Sequence, residues 1–484
     1  MSIRPPLPGT RSVARRVLSS LVTVTTVGVL ASAPAVGSED PGSPRRGHGT
    51  ALMHRDLGST DSVPWSGPGA SPSVDFSVPG GACSTVFQGA DGMPVALCTR
   101  YLGTEHGLTP VAPSVVLYDP ATARPVASLE LRKTGLLGGV YGYLDGEDRL
   151  VVAEGHAILR IAHVLEDGRW TLQVEERTEL PDLGTDAAIA GLSPDENGRT
   201  WFATEDAVTG YLDDTGADPT VRTVALGTDT PGGETIANGL TPRRDGVSVL
   251  TSHGLHDVRA DAAGDPTVAW SRTYDRGSAR KPGQLSWGSG TTPTFFGTGA
   301  ERVAIVDNAD ASPNLLVLDA ATGDTVCSLP AFDQAGPGTE NSLLADGDSL
   351  WIPSTYGYDY PDLAVDGESV PQDADFRGGL TRVDLQKDAS GRERCVRQWE
   401  TDTALDTLPE LTREAGTIWA LSRGDDDRTV SVVGVDADSG RETSRTPVGI
   451  LPFDQPMQLT GMIAPDGTLW QATATRMLKV SPAG

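Results

Sequence analysis

The chain has 484 residues, including 57 glycines and 35 prolines, and its formal net charge is −27. This length permits one large β domain or two to three smaller domains. A surface this acidic repels polyanions, so we expect neither nucleic acid nor an anionic membrane among the partners.

The first 35 residues have the pattern of a secretory signal peptide. A basic stretch that ends in SVARR precedes an apolar run, and the small residues of ASAPA follow. The apolar run is too short for a comfortable membrane span, so it predicts a cleaved leader. Residues 36–72 are rich in Gly, Ser and Pro and are interpreted as a linker. We therefore expect a secreted protein whose folded domain spans residues 73–484.

Four cysteines in an exported chain indicate two disulfides. Cys83 and Cys98 lie close in sequence across an expected hairpin, and Cys327 and Cys395 would then form the second pair. The other two connectivities remain open at the level of sequence.

A polar turn followed by a short apolar strand recurs about every fifty residues. The eight copies are GMPVALC, EDRLVVAE, GRTWFATE, GVSVLTSH, ERVAIVDN, DSLWIPST, GTIWALSR and GTLWQATA. One apolar segment precedes each copy, and a strand–turn–strand segment such as NLLVLDAATGDTVCSL follows it. Four short strands per repeat, with almost no helical periodicity, predict an all-β fold of the β-propeller type.

The last copy ends at MLKVSPAG, before an outer strand can form. A propeller must close because an open strand edge invites aggregation. We expect residues 73–78 (SVDFSV) to supply the missing strand. This favours eight four-stranded blades, with seven as the alternative if one copy is degenerate. The first cysteine pair would then lie within the first blade, and the second would join the outer strands of neighbouring blades.

Propeller topology sorts the loops onto two faces when the strands are lettered A to D from the channel outward. The A–B and C–D turns share one face and are plain Asp/Gly turns. The B–C and D–A loops share the other face. The candidate oxygen ligands for a hard cation on that face are Glu154, Asn238, Asp307, Asn308, Glu340 and Asn341. Candidate general bases on that face are His156, His253 and His256.

The segment IANGLTPRRDGVSVL resembles the NGL…DG segment of the SMP-30/gluconolactonase and strictosidine synthase-like propellers. In the lactonases of that family the Asn before Gly-Leu is a calcium ligand, which implies this role for Asn238. Glu154 and Asp307 are its possible partners by position only. The match spans about fifteen residues, and those families have six blades.

The repeats LLVLDAATGDTVCSL and VVLYDPATARPVASL resemble the blade motif of PQQ-like, quinoprotein alcohol dehydrogenase-like propellers. This resemblance covers most of the chain and implies eight blades. The dehydrogenases of that family place two adjacent cysteines beside the quinone. Since this chain has no Cys-Cys, PQQ is not expected as a cofactor.

The sixth repeat is the longest, and its extra residues, 355–378, lie between DSLWIPS and GLTRVDL. Tyr356, Tyr358 and Tyr360 alternate there, so a strand-like start would aim all three the same way. Together with Trp287 on the same face, they would suit a ring-shaped ligand or a glycan. Long loops in compact domains are often functional, so we expect a lid over an axial pocket.

Fold does not decide function among propellers. We favour a secreted, monomeric propeller that binds a small molecule or glycan on its axial face. The alternative is a hydrolase or lactonase in which calcium polarises a carbonyl group and a histidine activates water. A redox quinoprotein is the least favoured hypothesis.

Overall fold

The computed structural model describes residues 50–78, 82–104, 107–132, 141–181, 183–214, 218–236, 238–424, 426 and 428–483. The expected signal peptide and the first part of the expected linker, residues 36–49, lie outside these ranges. The described ranges contain 33 strands and one short 3₁₀ helix, Asp362–Ala364. Among them, no helix has the length and apolar character that crossing a membrane requires.

Two strands, β1 (Ser62–Val63) and β2 (Ser73–Ser77), precede the repeats. Blades 1 to 3 consist of β3 (Ala82–Gln88), β4 (Pro94–Thr104), β5 (Gly107–Tyr118), β6 (Pro125–Glu130), β7 (Gly142–Leu144), β8 (Leu150–Glu154), β9 (Ala157–Glu166), β10 (Arg169–Glu179), β11 (Ile189–Pro194), β12 (Thr200–Thr204), β13 (Val208–Asp213) and β14 (Thr220–Ala225). Blades 4 to 6 consist of β15 (Leu240–Arg243), β16 (Gly246–Leu250), β17 (Gly254–Ala260), β18 (Pro266–Thr273), β19 (Thr294–Phe296), β20 (Arg302–Val306), β21 (Asn314–Asp319), β22 (Thr325–Pro330), β23 (Leu344–Asp346), β24 (Ser349–Pro353), β25 (Leu380–Lys387) and β26 (Glu393–Thr401). Blades 7 and 8 contain β27 (Glu410–Thr412), β28 (Thr417–Arg423), β29 (Thr429–Asp436), β30 (Glu442–Ile450), β31 (Met462–Ile463), β32 (Leu469–Ala472) and β33 (Met477–Ser481).

The strands form eight sheets, one per predicted repeat, so the eight-bladed propeller is confirmed and the seven-bladed alternative is not. Each copy of the apolar pattern is the second strand that its repeat contributes to the sheet. These strands are buried on both faces because a neighbouring blade packs on each side, and β8, β12 and β16 are buried at every position. The apolar residues that define the sequence repeat are therefore the residues that form the blade cores.

Closure of the ring follows the prediction from the truncated last repeat. The outer edge of the eighth sheet is β2, which pairs antiparallel with β33 from Ser73 opposite Ser481 to Ser77 opposite Met477. Eight hydrophobic clusters then lie one between each pair of adjacent blades, and one of them joins blade 8 to blade 1. The core of the described residues is thus a closed ring of eight interfaces between blades.

Both predicted disulfides are confirmed. Cys83 on β3 is bonded to Cys98 on β4 within blade 1, with a Cα–Cα distance of 3.7 Å. Cys327 on β22 is bonded to Cys395 on β26, with a Cα–Cα distance of 5.7 Å. The second bond links the outer strands of blades 5 and 6.

The N-terminal segment at residues 50–63, here called the plug, lies against the innermost strands of several blades. Leu52 forms a β-bridge with Tyr143 of blade 2. The Phe295 N–H of blade 5 donates to the Gly58 carbonyl at 2.7 Å. In blade 7, β1 pairs in parallel with β27 as a fifth strand.

Most residues of the plug are buried, although composition assigned residues 36–72 to a linker. The physical reason for the difference is that backbone hydrogen bonds to the inner strands hold the segment. Such bonds require no hydrophobic periodicity, so the sequence pattern does not reveal them.

Candidate functional site

A cavity of about 190 Å³ lies on the propeller axis, at the face of the D–A loops. Its wall is made by residues at the entrances of inner strands in six blades: Tyr141, Asn238, Thr292, Glu340, Leu408 and Gln458. Eight repeats of similar length bring these entrances together around one axis. The face that the topology assigned to candidate chemistry is therefore the face that holds the cavity.

Glu340 is the one carboxylic acid among the described residues that line the cavity, and no lysine or arginine is among them. The residue is 7% exposed. Its Oε1 accepts a hydrogen bond from Asn238 Nδ2 at 3.3 Å, whereas its buried Oε2 makes no hydrogen bond of normal geometry. Burial raises the pKa of Glu340 to about 7, despite opposing effects of Asn238, the Leu285 backbone and Arg280. Near neutral pH this carboxyl group can both hold and release a proton.

Asn238 is oriented by three partners at the cavity wall. Its Oδ1 accepts from the Tyr141 hydroxyl at 3.3 Å, and its Nδ2 donates to the Gly290 carbonyl at 2.8 Å as well as to Glu340. Burial raises the pKa of Tyr141, which keeps this hydroxyl protonated as a donor. The amide is thereby fixed beside the unpartnered carboxyl oxygen.

Asn341 also lines the cavity and connects blade 6 to blade 8. Its Nδ2 donates to Gln458 Oε1 at 2.9 Å, and Gln458 Nε2 donates to the Leu405 carbonyl at 3.0 Å. Both amides are therefore held in place before any ligand binds, and such preorganisation reduces the entropy lost on binding.

The plug forms the inner end of the cavity through Met53 and His54. His54 Nδ1 lies 3.0 Å from Asp61 Oδ1, and His54 Nε2 lies 3.3 Å from Thr292 Oγ1. The Ser342 hydroxyl donates to Asp61. A carboxylate–imidazole–hydroxyl series thus runs from the plug to the cavity wall.

The insertion at residues 355–378 covers one side of the cavity with Tyr358, Tyr360, Pro361 and Ala364. The Tyr358 hydroxyl donates to the Pro456 carbonyl at 2.6 Å, across to the blade 7–8 loop. The rings of Tyr358 and Tyr360 are 4.9 Å apart at an angle of 64°. They form an aromatic corner beside Glu340.

The strand-like start expected for this insertion is wrong. Residues 356 and 357 form a turn in which the Tyr358 N–H donates to the Thr355 carbonyl at 2.8 Å. The turn breaks the alternation, so Tyr356 lies against Gly336 and does not line the cavity. Two of the three tyrosines are therefore placed at the site.

The three candidate histidines lie outside the cavity, and each has partners. His156 Nε2 lies 2.7 Å from the Ala187 carbonyl oxygen. His256 Nε2 lies 2.9 Å from Glu234 Oε2. Burial would raise the pKa of Glu234, but hydrogen bonds from His256 and neighbouring threonines outweigh it and lower the pKa to about 2. His253 lies 2.8 Å from Arg276 Nη1, and burial together with this cation lowers the pKa of His253.

Three of the six candidate metal ligands also lie elsewhere. Glu154 forms ion pairs with Arg132 at 2.8 Å and Arg177 at 2.7 Å. Asp307 Oδ1 accepts from the Asn314 N–H at 2.6 Å. Asn308 Nδ2 donates to the carbonyl groups of Arg276 and Ala279 at 2.8 and 3.0 Å. Glu154 and Asp307 thereby use their carboxylate oxygens, whereas Asn308 uses its amide nitrogen and its Oδ1 has no hydrogen-bond partner.

Trp287 lies on the D–A loop between blades 4 and 5 and is 40% exposed. The Arg276 guanidinium stacks on its ring at 3.8 Å, and the indole N–H donates to the Arg276 carbonyl at 3.0 Å. Trp287 does not line the axial cavity. The expected aromatic surface is thus not continuous, because Tyr358 and Tyr360 line the cavity and Trp287 lies outside it.

The arrangement does not fit a calcium centre. Calcium takes six to eight oxygen ligands, usually with several carboxylates. Asn238, Glu340 and Asn341 come together at the cavity, but they include only one carboxylate, and Asn238 Oδ1 already accepts from the Tyr141 hydroxyl. No group of three or more His, Cys, Asp or Glu residues suited to a metal ion occurs in the described part of the chain.

Sequence reasoning missed the residues that the plug and the inner-strand entrances contribute. His54 and Asp61 lie in the segment interpreted as a linker, and Tyr141, Thr292 and Gln458 belong to no motif. Tyr141, Thr292 and Gln458 share one signal, which is their position a few residues before an inner strand. Asn238 and Glu340 occupy such positions as well.

Comparison with known proteins shows the fold and no family. No family model matches the chain, and no curated protein matches it. The solved "Dos1 propeller" is similar over 85% of this chain and 95% of its own, at 10% identity and a TM-score of 0.50. A putative 6-phosphogluconolactonase from Bacteroides fragilis matches 75% of this chain and 84% of its own, at 11% identity and a TM-score of 0.36. A functionally unknown protein from Desulfotomaculum acetoxidans matches 70% of this chain and 94% of its own, at 10% identity and a TM-score of 0.39.

Proposed function

We propose that this protein is a secreted β-propeller that binds one small organic molecule in its axial cavity. The observation that carries the proposal is Glu340, a buried carboxyl group with an unpartnered oxygen at the wall of the axial cavity. Buried polar atoms normally have hydrogen-bond partners, and an exception points to a missing one. A ligand in the cavity would supply that partner.

The size of the cavity limits the part of the ligand that enters it to about one ring. Its volume of about 190 Å³ is below the range of about 300–1,000 Å³ that is usual for drug-sized ligands. Apolar cavities of about 150 Å³ accept benzene. A glycan would therefore place a single sugar ring in the cavity, with Tyr358 and Tyr360 as apolar contacts and the amides of Asn238 and Asn341 as polar ones.

Export from the cell is supported by the two disulfides. Disulfides persist in oxidising compartments and are rare in the cytosol. One of them joins two blades, so the folded ring itself includes an oxidised crosslink.

Hydrolysis without a metal is a second candidate function, favoured by the Asp61–His54–Thr292 series. Asp61 can orient the His54 ring through Nδ1 and leave Nε2 to take a proton. Replacement of His54 by Gln would abolish turnover of small neutral esters or lactones if this function holds. Unchanged ligand binding in the same variant, with no turnover in the parent protein, would favour binding alone.

The proposal can be tested with a library of one-ring compounds and thermal shift measurements. Ala364 lies on the short 3₁₀ helix of the insertion and lines the cavity, so Ala364→Phe should fill the space with little strain on the blades. Asp359 lies on the same insertion, is exposed and does not line the cavity, which makes Asp359→Ala the matched control. Compounds that stabilise the parent and the control but not Ala364→Phe support the proposal. Equal stabilisation of all three proteins contradicts it.

A further inference from the structure

Glu340 has no countercharge within ion-pair distance among the described residues. Arg280 is the cation that most influences it, but the Arg280 guanidinium donates to the carbonyl groups of Gly367 and Gln284 at 3.1 and 2.8 Å. Burying an unpaired carboxylate is costly unless the group is neutralised or paired. The cavity thus contains an acid that lacks a cation.

Aromatic rings surround this carboxyl group. Tyr141 hydrogen-bonds to Asn238, the direct neighbour of Glu340, and Tyr358 and Tyr360 form the aromatic corner over the same space. The face of a tyrosine ring attracts cations, and the attraction strengthens where water is excluded. A carboxylate with tyrosine rings around it is a favourable environment for an organic cation.

We propose that the axial cavity binds a small protonated amine whose ammonium group pairs with Glu340 and lies against the faces of Tyr358 and Tyr360. This inference rests on the proposed function and names the class of ligand. The ammonium N–H groups would donate to Glu340 Oε2 and to the Asn238 carbonyl oxygen, and the carbon skeleton would contact Leu285, Leu408 and Met457.

Other charge types fit the described cavity less well. An anion finds no lysine or arginine on the described wall and meets Glu340 instead. A neutral ring leaves the carboxyl group to hold its proton or remain unpaired. The net charge of −27 adds a long-range attraction for cations, which raises their concentration near the surface.

Binding of an amine should couple to release of the proton from Glu340. The groups that face Glu340 are Tyr141, Tyr274 and Tyr360, whose pKa values are raised by burial so that they stay neutral, together with Arg280 and His54. His54 is already engaged by Asp61. Glu340 is therefore the group whose ionisation controls amine binding. Because the ionised carboxylate pairs with the ammonium group, amine affinity should rise as pH rises through about 7.

Isothermal titration calorimetry with benzylammonium and its neutral analogue benzyl alcohol tests the inference. Benzylammonium stays protonated between about pH 6 and pH 8, so its affinity should increase about tenfold over that interval while benzyl alcohol binding stays flat. Titrations in two buffers of different ionisation enthalpy should show proton release at the lower pH. A benzylammonium affinity that is constant or falls over this interval overturns the inference.

Glu340→Gln keeps the shape and removes the charge, so it should lower benzylammonium affinity at least tenfold at pH 8 and change benzyl alcohol affinity far less. The matched control is Asp359→Asn, which removes an exposed charge from the insertion. This variant should bind benzylammonium and benzyl alcohol as the parent does. If the parent binds benzyl alcohol as tightly as benzylammonium, the amine inference fails while the proposed function stands. If neither these compounds nor any other one-ring compound binds in the cavity, both fail.

Discussion

Glu340 shows how one residue can link stability to function. A carboxyl group 7% exposed, with one oxygen left without a hydrogen bond, lowers the stability of the fold whenever it is ionised. This loss of stability arises at the cavity, where a ligand that pairs with the carboxylate can offset it. Strain of this kind tends to mark binding sites because nothing in the core requires it.

The pKa of Glu340 predicts a pH-dependent stability difference between the parent protein and Glu340→Gln. Between the ordinary value of 4.5 and about 7, the unfolded chain has released this proton and the folded chain retains it. Stability therefore falls as pH rises through that interval. Glutamine cannot ionise, so the variant should be more stable than the parent by about 2–3 kcal/mol at pH 8 and nearly equal to it at pH 4.5.

Urea denaturation of both proteins at a series of pH values measures this difference. Asp359→Asn provides the baseline, since Asp359 is exposed. A stability difference between parent and Glu340→Gln that stays constant from pH 4.5 to pH 8 would show that Glu340 ionises normally in the folded protein.

The candidate site was only partly predictable at this scale. Asn238, Glu340 and Asn341 were identified because they precede inner strands, and Tyr358 and Tyr360 because they lie in a long insertion. The three candidate histidines lie outside the cavity. Sequence shows a residue type on a loop but not its partner, and Glu234 and Arg276 engage two of them. Contacts between distant segments decide which polar residues stay free for a ligand.

The plug is the element that sequence composition least reveals, and its anchor is an ion pair. Arg55 Nε lies 3.2 Å from Glu410 Oε2, and both side chains are buried. Arg55 also donates to the Gly461 carbonyl, and Glu410 accepts from the Ile463 N–H at 3.2 Å. The ion pair thus holds the plug to blade 7 and the Arg55 hydrogen bond holds it to blade 8, in addition to its backbone hydrogen bonds to several blades.

Removing one partner of this buried pair should be more harmful than removing both. Arg55→Met leaves the Glu410 carboxylate buried and unpaired, for which we expect a loss of about 3–5 kcal/mol. The double variant Arg55→Met/Glu410→Gln removes both charges and keeps an acceptor for Ile463, so it should recover most of that loss. Chemical denaturation measures both, and a double variant no more stable than Arg55→Met would show that the unpaired Glu410 carboxylate does not cause the loss.

At the scale of the whole molecule, the N-terminal segment contributes twice: as the plug and as β2, the strand that closes the ring. The repeat predicted the blade number and the closing strand because every blade uses the same second strand with buried apolar residues. It predicted nothing about the channel. The interior of a propeller is filled by whichever chain reaches it, and no repeat encodes that segment.

Truncated chains can separate these two contributions. A chain that starts at Ser71 lacks the plug and retains β2, whereas one that starts at Ala82 lacks both. We expect two successive decreases in melting temperature, and aggregation only in the shortest chain because the edge of β33 is then exposed. Equal melting temperatures for the two truncated chains would mean that β2 does not stabilise the ring.

The most direct test of the whole account is a crystal structure of the protein with the one-ring compound that binds it most tightly. We predict electron density for that compound in the axial cavity, within hydrogen-bonding distance of Glu340 and in contact with Tyr360, with the plug in place below it. Density for the compound beside Trp287 or on the A–B turn face, with the axial cavity holding only water, would contradict the account.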